Sequence, residues 1–309
     1  MKAKFAVALL VVAVLCTCVM AEENNTDSWY KKSQRLFNNG SYEESVKAIN
    51  NAIDLSPRNS TLWDAKASSL AFEASFSGNR SEYNESLKTQ DKAIELDPKN
   101  STLLVHKGFL IANLADVFGH QNESIYEDAV KEFDKAILLD PQNTDAWNWK
   151  GMVLDSRLKR YDEALKAYDK AIEIGGTNAG DKALLSQAWE GKGYDMAKLG
   201  RYNESFKAFD RSIELNPQNA ASIWYMRATA VNASGMYGEA VKAYDESIEL
   251  SRENGEAVKA YDESIELSRE NVTSAQAYEA RERRFSSLAS MMMRSEPTKK
   301  PSKCFRWSQ

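Results

Sequence analysis

The sequence of 309 residues predicts an all-α chain folded as a solenoid of stacked helix pairs. Three observations carry that expectation. Ser186 to Asn219 reads as one complete helix-turn-helix unit. Its aromatic and small residues return in register along most of the chain. The units are punctuated by glycine ahead of tyrosine and, in most, by proline after the second helix.

In Ser186 to Asn219, Trp189, Lys192, Gly193 and Met196 share one side of a first helix, which Leu199-Gly200 ends. A second helix starts near Tyr202, with Ser205, Phe209 and Ser212 as its inward stripe, and Pro217 stops it. Gly193 and Ser205 are small where the helices cross, and Trp189, Tyr202 and Phe209 fill the space around them. The pattern resembles the tetratricopeptide repeat (TPR) family, whose signature is W-x2-L-G-x2-Y, then A-x3-F, then P, with a period of about 34 residues. The resemblance implies a right-handed α-solenoid whose first helices line a concave face.

In chain order, residues 1–21 read as a secretory signal peptide: Lys2 and Lys4, an apolar run from Phe5 to Val14, then Val19-x-Ala21 before Glu22. The alternatives are an uncleaved anchor, or a lipid-attached Cys16 or Cys18, although Leu15 and Thr17 are poor residues before such a site. Repeats follow at 26–59 (Trp29, Gly40, Tyr42, Ser45, Ile49, Ala52, Pro57) and 60–100 (Trp63, Tyr83, Ser86, Ala93, Pro98). The next two occupy 101–143 (Leu104, Gly108, Tyr126, Ala129, Phe133, Ala136, Pro141) and 144–178 (Trp147, Gly151, Tyr161, Ala164, Tyr168, Ala171). The second and third exceed the period by seven and nine residues, which predicts taller first helices with raised tips. In the fourth, Gly175-Gly176 stands where proline belongs, so GGTNAGD reads as a flexible joint, bounded at 179–185, that divides the superhelix near residue 178. Repeats five and six fill 186–254, the sixth marked by Trp224, Ala228, Gly235, Tyr237, Ala240, Tyr244 and Ser247.

GEAVKAYDESIELSREN occurs at Gly238 to Asn254 and again at Gly255 to Asn271. The second copy, 255–271, is a second helix without a first, and a period of 17 residues turns its apolar stripe by about 100° out of register. Residues 272–309 read as a seventh repeat that begins at Ala277 to Arg281 and is then frameshifted. In the neighbouring frame Arg281 into Glu282 permits glycine, Ser290 into Met291 permits tyrosine, and Phe305 into Arg306 permits proline, each at its proper spacing. A disordered tail is expected there, the alternative being a basic interaction tail.

With 40 Lys and Arg against 45 Asp and Glu the net charge is −5, and no basic stripe appears, so nucleic acid is not expected as a partner. Without the signal only Cys304 remains, so the core alone must hold the domain. His106 and His120 show no metal spacing, and there is no phosphate loop or nucleophile motif; no catalytic residue, metal or cofactor is expected. Asn-x-Ser/Thr acceptors are frequent, with Asn39, Asn79, Asn84, Asn122 and Asn203 the glycosylation candidates. At Asn84 and Asn203 the family's Tyr-Asp-Glu-Ala has become Tyr-Asn-Glu-Ser; the competing explanation is that Asn merely caps a helix.

The resemblance places a peptide-binding surface on the first helices. On the first three repeats it assigns Tyr30, Gln34, Phe37, Asn38, Val105, Phe109 and Asn113. Further along it assigns Asn148, Met152, Glu190, Tyr194, Tyr225 and Thr229. Relatives that grip acidic chaperone tails carry Lys, Arg and Asn where this chain has Tyr30, Asp64, Val105, Asn148, Glu190 and Tyr225, so that activity is not carried over. The expected function is a non-catalytic, exported scaffold or adaptor that binds a protein or peptide, secreted or in the cell envelope. The alternative is the recognition module of a larger enzyme or transport system.

Overall fold

The structure, a computed structural model, describes residues 25–119, 123–177 and 182–250. The signal segment, Asn122, residues 179–181 of the joint, the duplicated stretch 255–271 and the tail 272–309 lie outside the described residues.

The described residues form helices joined by short turns, with no strand among them. The pairs are α1 (Thr26–Asn38) with α2 (Tyr42–Leu55), α3 (Ser60–Ser77) with α4 (Arg80–Leu96), and α5 (Ser101–Val117) with α6 (Glu123–Leu139). Then come α7 (Thr144–Ser156) with α8 (Tyr161–Thr177), α9 (Lys182–Lys198) with α10 (Tyr202–Leu215), and α11 (Ala220–Ala233) with α12 (Tyr237–Leu250). One 3-10 turn, Pro217–Asn219, precedes α11. The chain divides into two compact units, Met1–Gly191 and Lys192–Gln309, so the division falls inside α9 and not near residue 178. Each unit is a right-handed solenoid of stacked helix pairs. No helix among the described residues is long and apolar enough to cross a membrane.

Local chemistry explains where helices begin. The side chains of Asn25, Asn59, Asn79, Asn100 and Asn143 each accept a backbone N–H from the first turn of the helix they precede. Three second helices start two residues after a left-handed residue: Gly40 (φ 76°) before Tyr42, Gly200 (φ 74°) before Tyr202, and Gly235 (φ 83°) before Tyr237. In the fourth repeat that place is held by Lys159 at φ 57°, where a Cβ is strained. Trp63 and Trp147 donate their indole N–H to the carbonyls of Pro57 and Pro141, 2.9 and 3.1 Å away, which ties each first helix to the turn before it.

The helix crossings show why small and aromatic residues alternate. A Cβ on Gly108 would lie 2.5 Å from the Phe133 ring, and one on Gly193 would lie 2.8 Å from Phe209. Tyr168 is gripped from two sides, since a Cβ on Gly151 would come within 2.7 Å of its ring and one on Gly191 within 2.3 Å. Its hydroxyl donates to the buried Asp155 carboxylate at 2.6 Å. The expected crossing of Gly193 and Ser205 is seen directly, with the Ser205 hydroxyl donating to the Gly193 carbonyl at 2.7 Å. In the first unit Ser33, Ser45 and Ser69 join α1, α2 and α3 through hydroxyl contacts of 2.9 and 3.0 Å. Phe133 and Phe209 are almost wholly buried, each stabilising its repeat by about 2–3 kcal/mol relative to an exposed ring.

Two expectations are corrected. The extra residues of the second and third repeats do not lengthen the first helices alone. α3 has 18 residues and α5 has 17, but α4 and α6 also have 17, against 13 and 14 in α1 and α2. The insertion is shared between both arms of the hairpin, which moves the starts of α4 and α6 ahead of Tyr83 and Tyr126. The glycine pair does not break the chain either: α8 runs through Gly175 and Gly176 to Thr177, and α9 has begun by Lys182, inside the expected joint. At Gly175 a Cβ would sit 3.2 Å from Leu185 Cδ1, so the glycine leaves room for the side chain of α9.

Candidate functional site

The most developed polar site of the first unit grows from one departure in the repeat pattern. The second-helix position that carries Ile49, Phe133, Tyr168, Phe209 or Tyr244 elsewhere is Gln90 in the second repeat. Gln90 is fully buried, and its amide N–H groups reach the Asp64 carboxylate at 2.8 Å and the Leu103 carbonyl at 2.9 Å. Asp64, on α3, also meets His106 Nδ1 of α5 at 2.8 Å. Burial alone would lower the His106 pKa, but the bond to Asp64 and the charges of Asp64 and Asp145 outweigh it, and the imidazole is held above its ordinary value. The outcome is a half-exposed imidazole seated on a mostly buried carboxylate between two first helices.

Two buried amide oxygens of the first unit are unsatisfied. Gln90 Oε1 and Asn148 Oδ1 have no hydrogen-bond partner among the described residues. Asn148 lies on α7, is 3 % exposed so that it presents almost no surface, and donates to Gln187 at 3.4 Å. A buried carbonyl oxygen without a donor is costly, and such groups are normally satisfied by a protein donor or an ordered water.

The expected surface residues fall into distinct roles. Gln34 and Asn38 are exposed on α1, while Tyr30 packs against the core cluster of Ile49 and Leu62. Phe37 turns toward α3, with its ring 5.1 Å from that of Phe72. Phe109 is half-buried edge-on against Trp149 at 4.9 Å, and Asn113 and Met152 are partly exposed. Val105, at 2 % exposure, is core and presents no surface. Glu190 is partly exposed on α9. In the second unit Tyr194 lies under the Lys198 ammonium at 5.0 Å. Tyr225 tilts against Tyr244, and Thr229 donates to the Tyr225 carbonyl while accepting from the Tyr244 hydroxyl. The residues that sequence reasoning passed over are Gln90 and His106. An amide in an aromatic slot was the available signal.

The candidate glycan acceptors divide by context. Asn39, Asn84 and Asn203 are exposed; Asn39 is the C-cap of α1 through its backbone N–H, while Asn84 and Asn203 lie within α4 and α10 and cap no helix. Asn79 is exposed but caps α4 through its side-chain oxygen, as Asn59 and Asn100 cap α3 and α5. Ser86 and Ser205, the hydroxyl residues of two acceptor triplets, are fully buried at helix crossings. Among the described residues no group of three or more His, Cys, Asp or Glu is placed to hold a metal ion.

Comparison with known proteins agrees with this architecture. Two family models, both described as tetratricopeptide repeat, match residues 26–59, and 114–179 with 191–255, together more than half of the chain. A model described as anaphase-promoting complex subunit 5 matches only residues 253–277. No curated protein sequence matches. Among solved structures, the chain is similar to the APC/C hetero-tetramer Cut9-Hcn1, with a TM-score of 0.62 at 16% identity over 80% of this chain and 44% of that one. It is similar to yeast Tom70, with a TM-score of 0.58 at 20% identity over 80% of this chain and 47% of that one. A tetratricopeptide repeat protein from Parabacteroides merdae gives a TM-score of 0.54 at 16% identity, covering 82% and 96% of the two chains. The chain spans less than half the length of the first two, and at these identities the likeness is one of fold. Helix pairs, crossing residues and family models together make this chain a member of the tetratricopeptide repeat family.

Proposed function

We propose that the protein is a non-catalytic, extracytoplasmic scaffold or adaptor that binds a protein or peptide segment along its first helices. The observation that carries this reading is the stack of tetratricopeptide repeats, whose first helices present the exposed Gln34 and Asn38 and the half-exposed His106 paired with Asp64. An extended segment offers backbone N–H and C=O groups at regular intervals, which exposed amides such as Gln34 and Asn38 can meet. The partly exposed Phe109, Asn113 and Met152 supply apolar and amide contacts on the same set of helices. Export rests on the leader-like residues 1–21 and the abundance of Asn-x-Ser/Thr triplets, with Asn84 and Asn203 the modification sites that no capping role explains.

Site-specific photocrosslinking of the full chain in its native host tests the binding face. Probes at Gln34 and Asn113 should capture the same partner, while a probe at the exposed Lys88 on α4 should not. Equal capture from all three positions would overturn the assignment. Peptide mass spectrometry of the native protein tests export: a mature N-terminus at Glu22 and glycans at Asn84 and Asn203 are expected, and an unprocessed, unmodified chain would remove the extracytoplasmic reading.

A further inference from the structure

A second surface lies at the hairpin end of the first two repeats, apart from the Gln90 and Asn148 groups. Phe76, near the C-terminus of α3, is 79% exposed. Its ring stacks on Tyr42, with centroids 5.5 Å apart and planes 23° from parallel. Tyr42 in turn stacks on Phe72 at 5.4 Å and 27°. Phe37 stands edge-on to both, 5.3 Å from Tyr42 and 5.1 Å from Phe72. Four rings from α1, α2 and α3 thus form one rack, and its most exposed member lies in the part of α3 by which that helix outruns α1. The mutual stacking fixes the rings in place, so a ligand loses little side-chain entropy by settling on them.

The border of the rack is acidic. Glu43 and Glu44 follow Tyr42 on α2, Glu73 follows Phe72 on α3, and Glu82 lies in the first turn of α4. Burial first, then the charges of Glu82, Glu43 and Glu44, hold the Glu73 carboxyl above its ordinary range, with Lys47 opposing them. Lys47 is itself paired with Glu43 at 2.6 Å. Repulsion among these carboxylates is relieved by an incoming cation, and the ring faces attract the same charge. An acidic peptide or a nucleic acid meets the opposite field.

We propose that the Phe37–Tyr42–Phe72–Phe76 rack and its border of Glu43, Glu44, Glu73 and Glu82 form a docking site for a basic peptide segment in which arginine or lysine alternates with aromatic side chains.

The test uses the full chain produced without glycosylation, so that Asn39 and Asn79 are bare, and two labelled amidated peptides followed by fluorescence anisotropy. One alternates arginine with phenylalanine, and the other carries glutamate in place of arginine. The arginine peptide should bind, less tightly as salt rises, and the glutamate peptide should not. Phe76→Ser should weaken binding about tenfold, and the double variant Glu43→Gln, Glu73→Gln by a similar factor. Phe76 is largely exposed, so its replacement leaves the core intact, which an unchanged melting temperature would check. Equal binding of both peptides would reduce the rack to a nonspecific apolar patch and overturn the proposal. Undiminished binding by both variants would do the same. If sedimentation shows a dimer that Phe76→Ser dissolves, the occupant is a second copy of the chain, and the basic-peptide assignment fails.

Discussion

Single residues that break the repeat pattern mark where stability depends on conditions. At His106 the hydrogen bond to Asp64 and the charges of Asp64 and Asp145 outweigh burial, so its pKa in the fold lies above the unfolded value. Its contribution is therefore complete below about pH 6.5 and is lost as pH rises through the folded pKa. Asp155 shifts in the same direction for a different cause. Burial pushes its carboxyl up to about 6, against the hydrogen bond from Tyr168 and the charges of Lys159 and Arg157. A carboxyl raised in the fold penalises the ionised form, so stability falls between about pH 4 and pH 6 and stays lower above that window. His106→Ala should therefore destabilise more at pH 5 than at pH 8 in urea unfolding. Asp155→Asn should raise stability at pH 7 by on the order of 1–3 kcal/mol and flatten the acidic window. A pH-independent difference for either variant would contradict the assigned cause. Lys159 is the third departure: with a left-handed backbone where three other repeats have glycine, Lys159→Gly should stabilise by about 0.5–1 kcal/mol, read as a higher melting temperature.

At the scale of helices, the question is what a glycine pair does. Gly176 lies inside α8, and a Cβ there would meet nothing within 4 Å. If α8 runs through it, Gly176→Ala should stabilise by about 0.8–1 kcal/mol, because alanine is the better helix former; at a flexible joint the change would be neutral or harmful. Calorimetry of the single variant decides between them. The sequence was legible wherever the cause of a structure was local. Tyr42 and Tyr202 mark helix starts because a left-handed glycine stands two residues before each, and Gly193 with Ser205 marks a crossing because only small residues fit there. It was not legible at Gly175, whose close approach to a neighbouring helix involves Leu185, ten residues away in the chain. The shared lengthening of α3 with α4 is similar, since an insertion in a hairpin has no local mark for which arm takes it. Most of the candidate site was hidden for the same reason: Gln90 acquires meaning only through Asp64 and His106, which lie on neighbouring first helices.

For the first unit as a whole, the solenoid architecture makes stability a sum of repeat terms and nearest-neighbour interfaces. Each helix packs against its partner in the repeat and against the helices adjoining it in the stack, so damage should stay near its source. Gly108 offers a clean site for that damage, because any side chain there meets the Phe133 ring, which is itself fully buried. Gly108→Val forces apart α5 and α6 and should cost about 3 kcal/mol or more, the range of strongly overpacked cores. The stack predicts where the loss is seen. Amides of α5, α6 and the adjoining α4 and α7 should lose hydrogen-exchange protection most, while α1 and α2 keep most of theirs, held by the Ser33–Ser45–Ser69 hydroxyls and the ring contact between Phe37 and Phe72. Uniform loss of protection from α1 to α8 would mean that the unit unfolds as one cooperative body, and the nearest-neighbour account would fail. A graded loss would also fit the proposed division of labour, in which the aromatic rack of the first two repeats acts independently of the first-helix surface around Phe109, Asn113 and Met152.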